Sequence, residues 1–122
     1  NFPNFFMLYG PNTNLGHNSI VYMLESQIAH VLRCYQAMQA TDSSTIEVDA
    51  NRYQIFNKKI QQRLANTVWH GCKSWYVDES GHNSTNWPGF TLSYRWLRSG
   101  QRLKEYRHSV FHEQACHYPK FQ

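Results

Sequence analysis

Residues 5–9 (Phe, Phe, Met, Leu, Tyr) are apolar without a polar break. An unbroken stretch of this kind predicts a strand buried on both faces of a parallel sheet. Gly10 and Pro11 stop it, and a polar Asn/Thr loop leads to a periodic run that begins at Ile20. There Ile20, Leu24, Ile28, Val31, Tyr35 and Met38 recur at steps of three and four. This spacing predicts an amphipathic helix of about five turns, with Asn14 or Thr13 as its cap. Residues 41–44 end it, and residues 45–49 alternate with β-branched members, as a short half-exposed strand does. Asp49 or Asn51 is placed to cap a second helix over 52–68. Its inward positions are Ile55, Phe56, Ile60, Leu64 and Val68, while Lys58, Gln61, Gln62 and Arg63 face water.

From Trp69 onward the helical period is lost. His70, Gly71 and Cys72 turn into a candidate strand at 73–77, and residues 78–83 form a loop by composition. Trp87, Pro88 and Gly89 make a rigid bend, after which alternation over 90–97 predicts a final strand. Residues 98–122 are polar, basic and rich in histidine, with 102–117 a candidate helix. The expected fold is α/β: a buried strand, a long helix, a short strand, a second helix and an irregular Trp-rich β element. Residues 1–97 would form the ordered part and 98–122 a basic, weakly ordered tail. No internal repeat or linker-like stretch interrupts this order.

With 122 residues the chain suits one domain with a modest core, and 41% hydrophobic residues argue against disorder. No apolar run approaches the ~20 residues of a membrane span, and the opening residues are not a charged-then-apolar leader. Three cysteines, Cys34, Cys72 and Cys116, form neither a C-x-x-C pair nor a disulfide framework. A soluble protein of the reducing cytoplasm is the expectation. The net charge of +4 invites an anionic partner, but the excess lies mostly after Tyr94. A solvated tail accounts for it as well as nucleic-acid binding does. Asn83, Ser84 and Thr85 spell a glycosylation sequon, read as chance, and neither G-x-G-x-x-G nor a P-loop is present.

The chemistry concentrates at residues 10–19. A strand end, a tight Gly-Pro turn and a helix start make a corner where free N–H groups and the positive helix end stabilise negative charge, by roughly 0.3–2 kcal/mol. Gly16 would let a flat ligand approach the backbone closely.

The run Phe-Pro-Asn-Phe-Phe-Met-Leu-Tyr-Gly-Pro-Asn-Thr-Asn-Leu-Gly-His-Asn-Ser over residues 2–19 resembles the last flavin-contacting segment of class B flavin monooxygenases, in their Baeyer–Villiger branch. The likeness continues through Thr67, Val68, Trp69, Cys72, Ser74, Trp75, Tyr76, Trp87, Pro88, Gly89, Tyr94 and Arg95, covering roughly residues 2–98. It implies the closing strand and long helix of a flavin-binding domain, from the C-terminal piece of a longer enzyme. That enzyme would use FAD, NADPH and O2 to insert one oxygen atom into an organic substrate, a ketone or a heteroatom compound. By the same likeness Asn14, Leu15 and Gly16 contact the flavin mainly through main-chain groups, and Trp75 approaches the nicotinamide dinucleotide. The glycine-rich fingerprints and the family's monooxygenase signature are missing here, as are the flavin and NADP domains expected upstream. The isolated chain is therefore expected to be inactive and not to retain FAD.

Other candidates read more plainly. His17 beside the helix start suits a structural role, Tyr76 and Trp87 suit packing, and Cys72 suits a buried filler. His108, His112, Glu113, Cys116 and His117 have ligand-like spacing if helical, but the expectation is no metal site. No catalytic acid, base or nucleophile is assignable. The alternatives are a stand-alone binding module that keeps this stretch for packing, or more weakly a basic nucleic-acid-binding domain.

Overall fold

The structure, a computed structural model, describes residues 2–16, 19–69, 75–99 and 106–109. Its elements are α1 (Ile20–Ala40), β1 (Thr45–Val48), α2 (Ala50–Leu64), α3 (Thr91–Ser99) and β2 (Tyr106–Ser109). The fold is mixed α/β, as the sequence predicts, with helices contributing more than the pattern suggests.

Helix α1 starts after Ser19, which takes the cap position expected of Asn14 or Thr13. Its C-terminus closes where expected. Asp42 takes a left-handed φ of 49°, its N–H donates to Gln39 O, and Ser43 N–H donates to Met38 O. This is the Schellman arrangement, with an aspartate tolerating the conformation that usually calls for glycine. The face α1 buries is Met23, Ser26, Gln27, His30 and Cys34, one step round from the most apolar stripe. Ile28, Leu32 and Tyr35 lie exposed instead.

Asp49 caps α2 by accepting from the Asn51 and Arg52 amides at 3.0 and 3.1 Å. The helix ends at Leu64, four residues short of the expected end, and Val68 beyond it is exposed. Strand β1 pairs antiparallel with β2, setting Ile46 against His108 and Glu47 against Arg107. His30 on α1 and the Tyr106 hydroxyl on β2 share a 2.6 Å hydrogen bond, which ties this two-stranded sheet to the helix. Part of the expected tail is thus a strand where a helix was predicted. The rest of that candidate helix lies outside the described residues.

Two expected strands are not strands, and of the candidate at 73–77 the described part is a turn at 75–76 and a single bridge from Val77 to Asn83. Residues 5–7 are coil and Leu8 and Tyr9 a turn, with Phe5 63% exposed, because no strand pairs with them among the described residues. Their backbone groups bond elsewhere: Phe5 N–H to Phe2 O, and Tyr9 N–H to the Gln27 side chain at 2.8 Å. Residues 90–97 alternate in sequence yet form α3. Phe90, Leu92 and Trp96 are 71–76% exposed, while Tyr94 between them is 1% exposed. Thr91, Tyr94 and half-buried Leu97 recur at steps of three along the inner face of α3. The Trp87-Pro88-Gly89 bend sets up this helix. Phe90 O accepts from the Tyr94 N–H as its first turn closes, and also from Ser93 Oγ and Trp87 Nε1.

The core is Met23, Ile60, Leu64, Trp87 and Tyr94, with Leu15, Phe56, Trp69 and Leu97 at its edge. The Trp87 and Tyr94 rings meet edge to face at 5.0 Å, a geometry that adds about 0.5–1.5 kcal/mol to simple burial. This core lies directly beneath the loop that carries residues 10–16.

Candidate functional site

The segment predicted to meet a ligand is held by a second loop, residues 83–87. Asn12 donates its backbone N–H to Ser84 O at 2.7 Å, and its side-chain Nδ2 reaches Asn83 O at 2.8 Å and Asn86 O at 3.0 Å. Asn14 N–H donates to Thr85 O at 3.0 Å, and Asn14 O accepts from Trp87 N–H at 2.9 Å. Its side chain is also engaged, Nδ2 donating to Asn86 Oδ1 at 3.2 Å and Oδ1 accepting from Tyr9 OH at 2.8 Å. Together these bonds make a short parallel bridge between Asn14 and Asn86. A loop in coil conformation is thereby fixed as firmly as a sheet edge.

The second loop is rigid in its own right. Asn83 Oδ1 accepts from the Thr85 and Asn86 amides, each at 3.0 Å, the Asx arrangement that caps a turn. Gln61 of α2 meets the Asn83 backbone twice, donating to its carbonyl and accepting from its amide. Asn83 is buried, so the sequon read as chance points its side chain inward. Ahead of it, Asp78 Oδ1 accepts from Ser80 N–H, Ser80 Oγ and His82 N–H. The Ser80 hydroxyl and then the His82 amide hold the Asp78 carboxyl below its ordinary range.

Leu15 packs on the core edge, which anchors the turn from below. Gly16 is exposed, and a Cβ built there would meet only the Trp69 ring, at 3.4 Å, an ordinary contact. Trp69 stands edge-on to Tyr76 at 5.4 Å, and Tyr76 lies tilted against Trp75 at 4.9 Å. Three aromatic rings therefore connect the two ends of the predicted site, Gly16 and Trp75. Trp75 is 89% exposed, the posture of a side chain with a flat face open to a partner. His17 and Cys72 lie outside the described residues.

Beside the turn lies a groove of about 760 Å³, walled by Phe2, Phe5, Met7 and Leu8 on one side and Gln27, His30 and Val31 on the other. Gln27 is buried in this wall, and its Nε2 has no partner among the described residues. No group of three or more His, Cys, Asp or Glu among the described residues is arranged to hold a metal. Of the histidine-rich set in the tail only His108 is described. None of the described helices is long and apolar enough to cross a membrane.

Sequence reasoning singled out Asn14, Leu15, Gly16 and Trp75 but missed Asn12, Asn83, Asn86 and Gln61. One signal was available for Asn83. An asparagine followed at two and three residues by free amides is a turn-capping pattern. No local pattern announces the pairing of residues 12–14 with 84–87, because it is made across more than seventy positions.

Comparison with known proteins places the chain. It is 50% identical over 99 residues to a Baeyer–Villiger monooxygenase of Pseudomonas aeruginosa, covering 79% of this chain and 19% of that protein. It is 37% identical over 109 residues to a Baeyer–Villiger monooxygenase of Streptomyces coelicolor, with 87% of this chain and 21% of that protein covered. An FAD-binding monooxygenase of Aspergillus niger is 36% identical over 99 residues, which are 76% of this chain and 16% of that protein. No family model matches the chain, and no solved structure matches it significantly. The chain spans about a fifth of the length of these relatives, and as a segment of that size it belongs to the family of Baeyer–Villiger and FAD-binding monooxygenases.

Proposed function

We propose that these residues are the closing part of the flavin domain, and the C-terminal portion, of a cytoplasmic FAD- and NADPH-dependent monooxygenase. The complete enzyme inserts one oxygen atom from O2 into an organic substrate, a ketone or a heteroatom compound. In this reading residues 1–97 are the monooxygenase segment and 98–122 a basic tail. The relatives named as Baeyer–Villiger and FAD-binding monooxygenases support it through their identity over four fifths of the chain. The observation that carries it is the turn at Gly16, exposed yet held on a rigid base, with only the Trp69 ring within reach of an added Cβ.

The residues fit one edge of a flavin and not the whole cofactor. A flat ring can approach the bare Gly16 backbone, and the N-terminus of α1 favours electron density at that edge. Leu15 anchors the turn from below, and Trp75 offers an exposed face for the nicotinamide dinucleotide. Asn14 has both main-chain groups engaged with the second loop, so its part is to hold the turn in place while Gly16 makes the approach. When bound, the flavin supplies the oxygen chemistry, and the protein supplies position and exclusion of water. The apolar groove beside the turn is closed, in this proposal, by the rest of the enzyme.

Gly16→Val in the complete enzyme tests the reading. A Cβ at this position meets the Trp69 ring at ordinary contact distance, so the fold is expected to survive and flavin occupancy to fall. Unchanged occupancy and an unchanged flavin reduction potential would show that the turn is a connection and not a contact. The isolated chain is expected to purify colourless, since one edge contact does not offset an association cost of at least several kcal/mol. One equivalent of bound flavin in that preparation would overturn this part of the proposal.

A further inference from the structure

We infer that Asn83 and Asn12 are positioning residues for the flavin-contacting turn, which makes the loop at 83–87 a second, indirect part of the cofactor site. The inference rests on the reading that residues 15–16 meet the flavin. Three observations carry it.

First, the turn has little structure of its own. It lies between an irregular run and the start of α1, and Tyr9 and Asn12 ahead of Gly16 sit at left-handed φ values of 55°. Such backbone is costly for a residue with a side chain, and it persists only where surrounding bonds over-determine it. The Gln27 side chain holds the Tyr9 N–H, and the bonds that hold Asn12 come from residues 83–86. Asn12 and Asn14 together donate or accept six hydrogen bonds with residues 83–87. The other restraints on the turn are Leu15 on the core edge, Tyr9 OH on Asn14 Oδ1 and the Thr13 hydroxyl on Gly10 O.

Secondly, within the loop that supplies them one side-chain atom caps the turn, while Gln61 of α2 holds the Asn83 backbone from outside. Asn83 Oδ1 holds the Thr85 and Asn86 amides, and so aims the carbonyls of residues 83–86 towards Asn12 and Asn14. Its Nδ2 has no partner among the described residues, so the amide nitrogen contributes nothing to the cap. The acceptor is required and the donor is not. Serine can present the same acceptor without adding charge, since it caps turns about as well as asparagine.

Thirdly, Asn12 joins the two loops through one nitrogen. Its Nδ2 bridges the carbonyls of Asn83 and Asn86, both inside the buried part of the loop. No isosteric residue without an amide nitrogen reproduces that bridge. Asn12→Asp would set a carboxylate against two carbonyl oxygens.

The experiment uses the complete, flavin-loaded enzyme with Asn83→Ala, Asn83→Ser and Asn12→Ala, and reads three quantities: flavin dissociation, flavin reduction potential and melting temperature of the apoprotein. Asn83→Ala and Asn12→Ala are each expected to weaken flavin retention about five-fold, the effect of one lost hydrogen-bonding unit. Both should move the reduction potential, and Asn83→Ser should restore both quantities. A merely structural loop gives a different result, with a lower melting temperature and an unmoved potential in whatever flavin remains bound. That result overturns the inference, as does a failure of Asn83→Ser to restore what Asn83→Ala removes. Should Asn83→Ala not fold, Asn12→Ala alone decides by the same potential. Gly16→Val separates the two readings. If it leaves the flavin untouched, the site itself is elsewhere and the inference falls with it. If it displaces the flavin while the asparagine variants do not, only the positioning role is lost.

Discussion

Two halves of the molecule answer to their sequence in opposite ways. In one, the loops at 10–16 and 83–87, α2 and the inner face of α3, buried side chains meet counterparts within the chain, the Asn83 and Asn86 amide nitrogens apart. Trp87 meets Tyr94, Arg63 lies over the Trp87 ring, and the asparagines bond across the two loops. In the other, the run at 2–9 and the outer faces of α1 and α3, large apolar residues lie open to water. Scattered exposed apolar residues are ordinary, but here they form the wall of a groove and one stripe of a helix. A self-sufficient region and an unfinished one meet along the buried face of α1. The difference matches the extent of the chain, about a fifth of its relatives' length.

The largest effect that would break this contrast concerns the core. Trp87→Ala removes the centre of the cluster and its bond to Phe90 O, so a loss of about 3–5 kcal/mol is expected in chemical denaturation. Leu32→Ala on the open helix face is expected to cost under about 0.5 kcal/mol in the isolated chain. In the complete enzyme the same change should cost about 1–3 kcal/mol, if the missing portion covers that face. Equal and small costs in both settings would leave the stripe a true surface.

The run at residues 5–9 sharpens the point. Read for hydrophobicity alone it is a buried strand, and the structure gives coil and a turn, with every side chain but Phe6 exposed. Nothing in these residues opposes a strand, but a strand needs a neighbour for its N–H and C=O groups. Hydrogen exchange should therefore be fast over 5–9 in the isolated chain and slow in the complete enzyme. Fast exchange in both would retire the strand altogether.

What was legible followed from local chemistry. Helix α1, its stop at 41–44, β1 and the Asp49 cap are each set by residues within a turn of one another. Residues 90–97 misled because an aromatic-rich alternation has the period of a strand while Thr91, Tyr94 and Leu97 also have the period of a helix. The bend at Pro88 and the bonds converging on Phe90 O decided for the helix. Within the site, the turn at Gly16 and the aromatic at Trp75 were visible as motifs. The asparagine clamp between them was not, since its partners are distant in sequence.

A smaller effect tests the Trp75 end of the site. Its ring rests on Tyr76 alone among the described aromatic contacts and is otherwise open. Trp75→Ala should leave stability nearly unchanged, and in the complete enzyme it should weaken use of NADPH more than it weakens flavin retention. Steady-state kinetics with flavin content decides this. Equal loss of both, with a lower melting temperature, would return Trp75 to the core.

The smallest effect concerns Asp78, at the start of the loop that ends in the clamp. Its carboxylate accepts three hydrogen bonds from Ser80 and His82, and these hold its pKa below the ordinary value. A carboxyl with a lowered folded-state pKa adds stability that is complete above its unfolded value, near 3.9. That contribution fades as the pH falls through the folded-state value, so the loop at 78–82 should loosen only in acid below about pH 4. The group is exposed, so the effect is local and screened by salt. Amide exchange at Ser80 and His82 is the measurement: protection should fall with pH in the native chain. In Asp78→Asn the pH dependence should vanish, because the amide oxygen still accepts and cannot be protonated in this range. Exchange at Thr85 and Asn86 should stay unchanged in both proteins, since Asn83 and Gln61 hold that part of the loop without any titrating group. If protection at Thr85 falls together with that at Ser80, the clamp is not independent of the loop before it, and the self-sufficient half of the molecule is smaller than the hydrogen bonds imply.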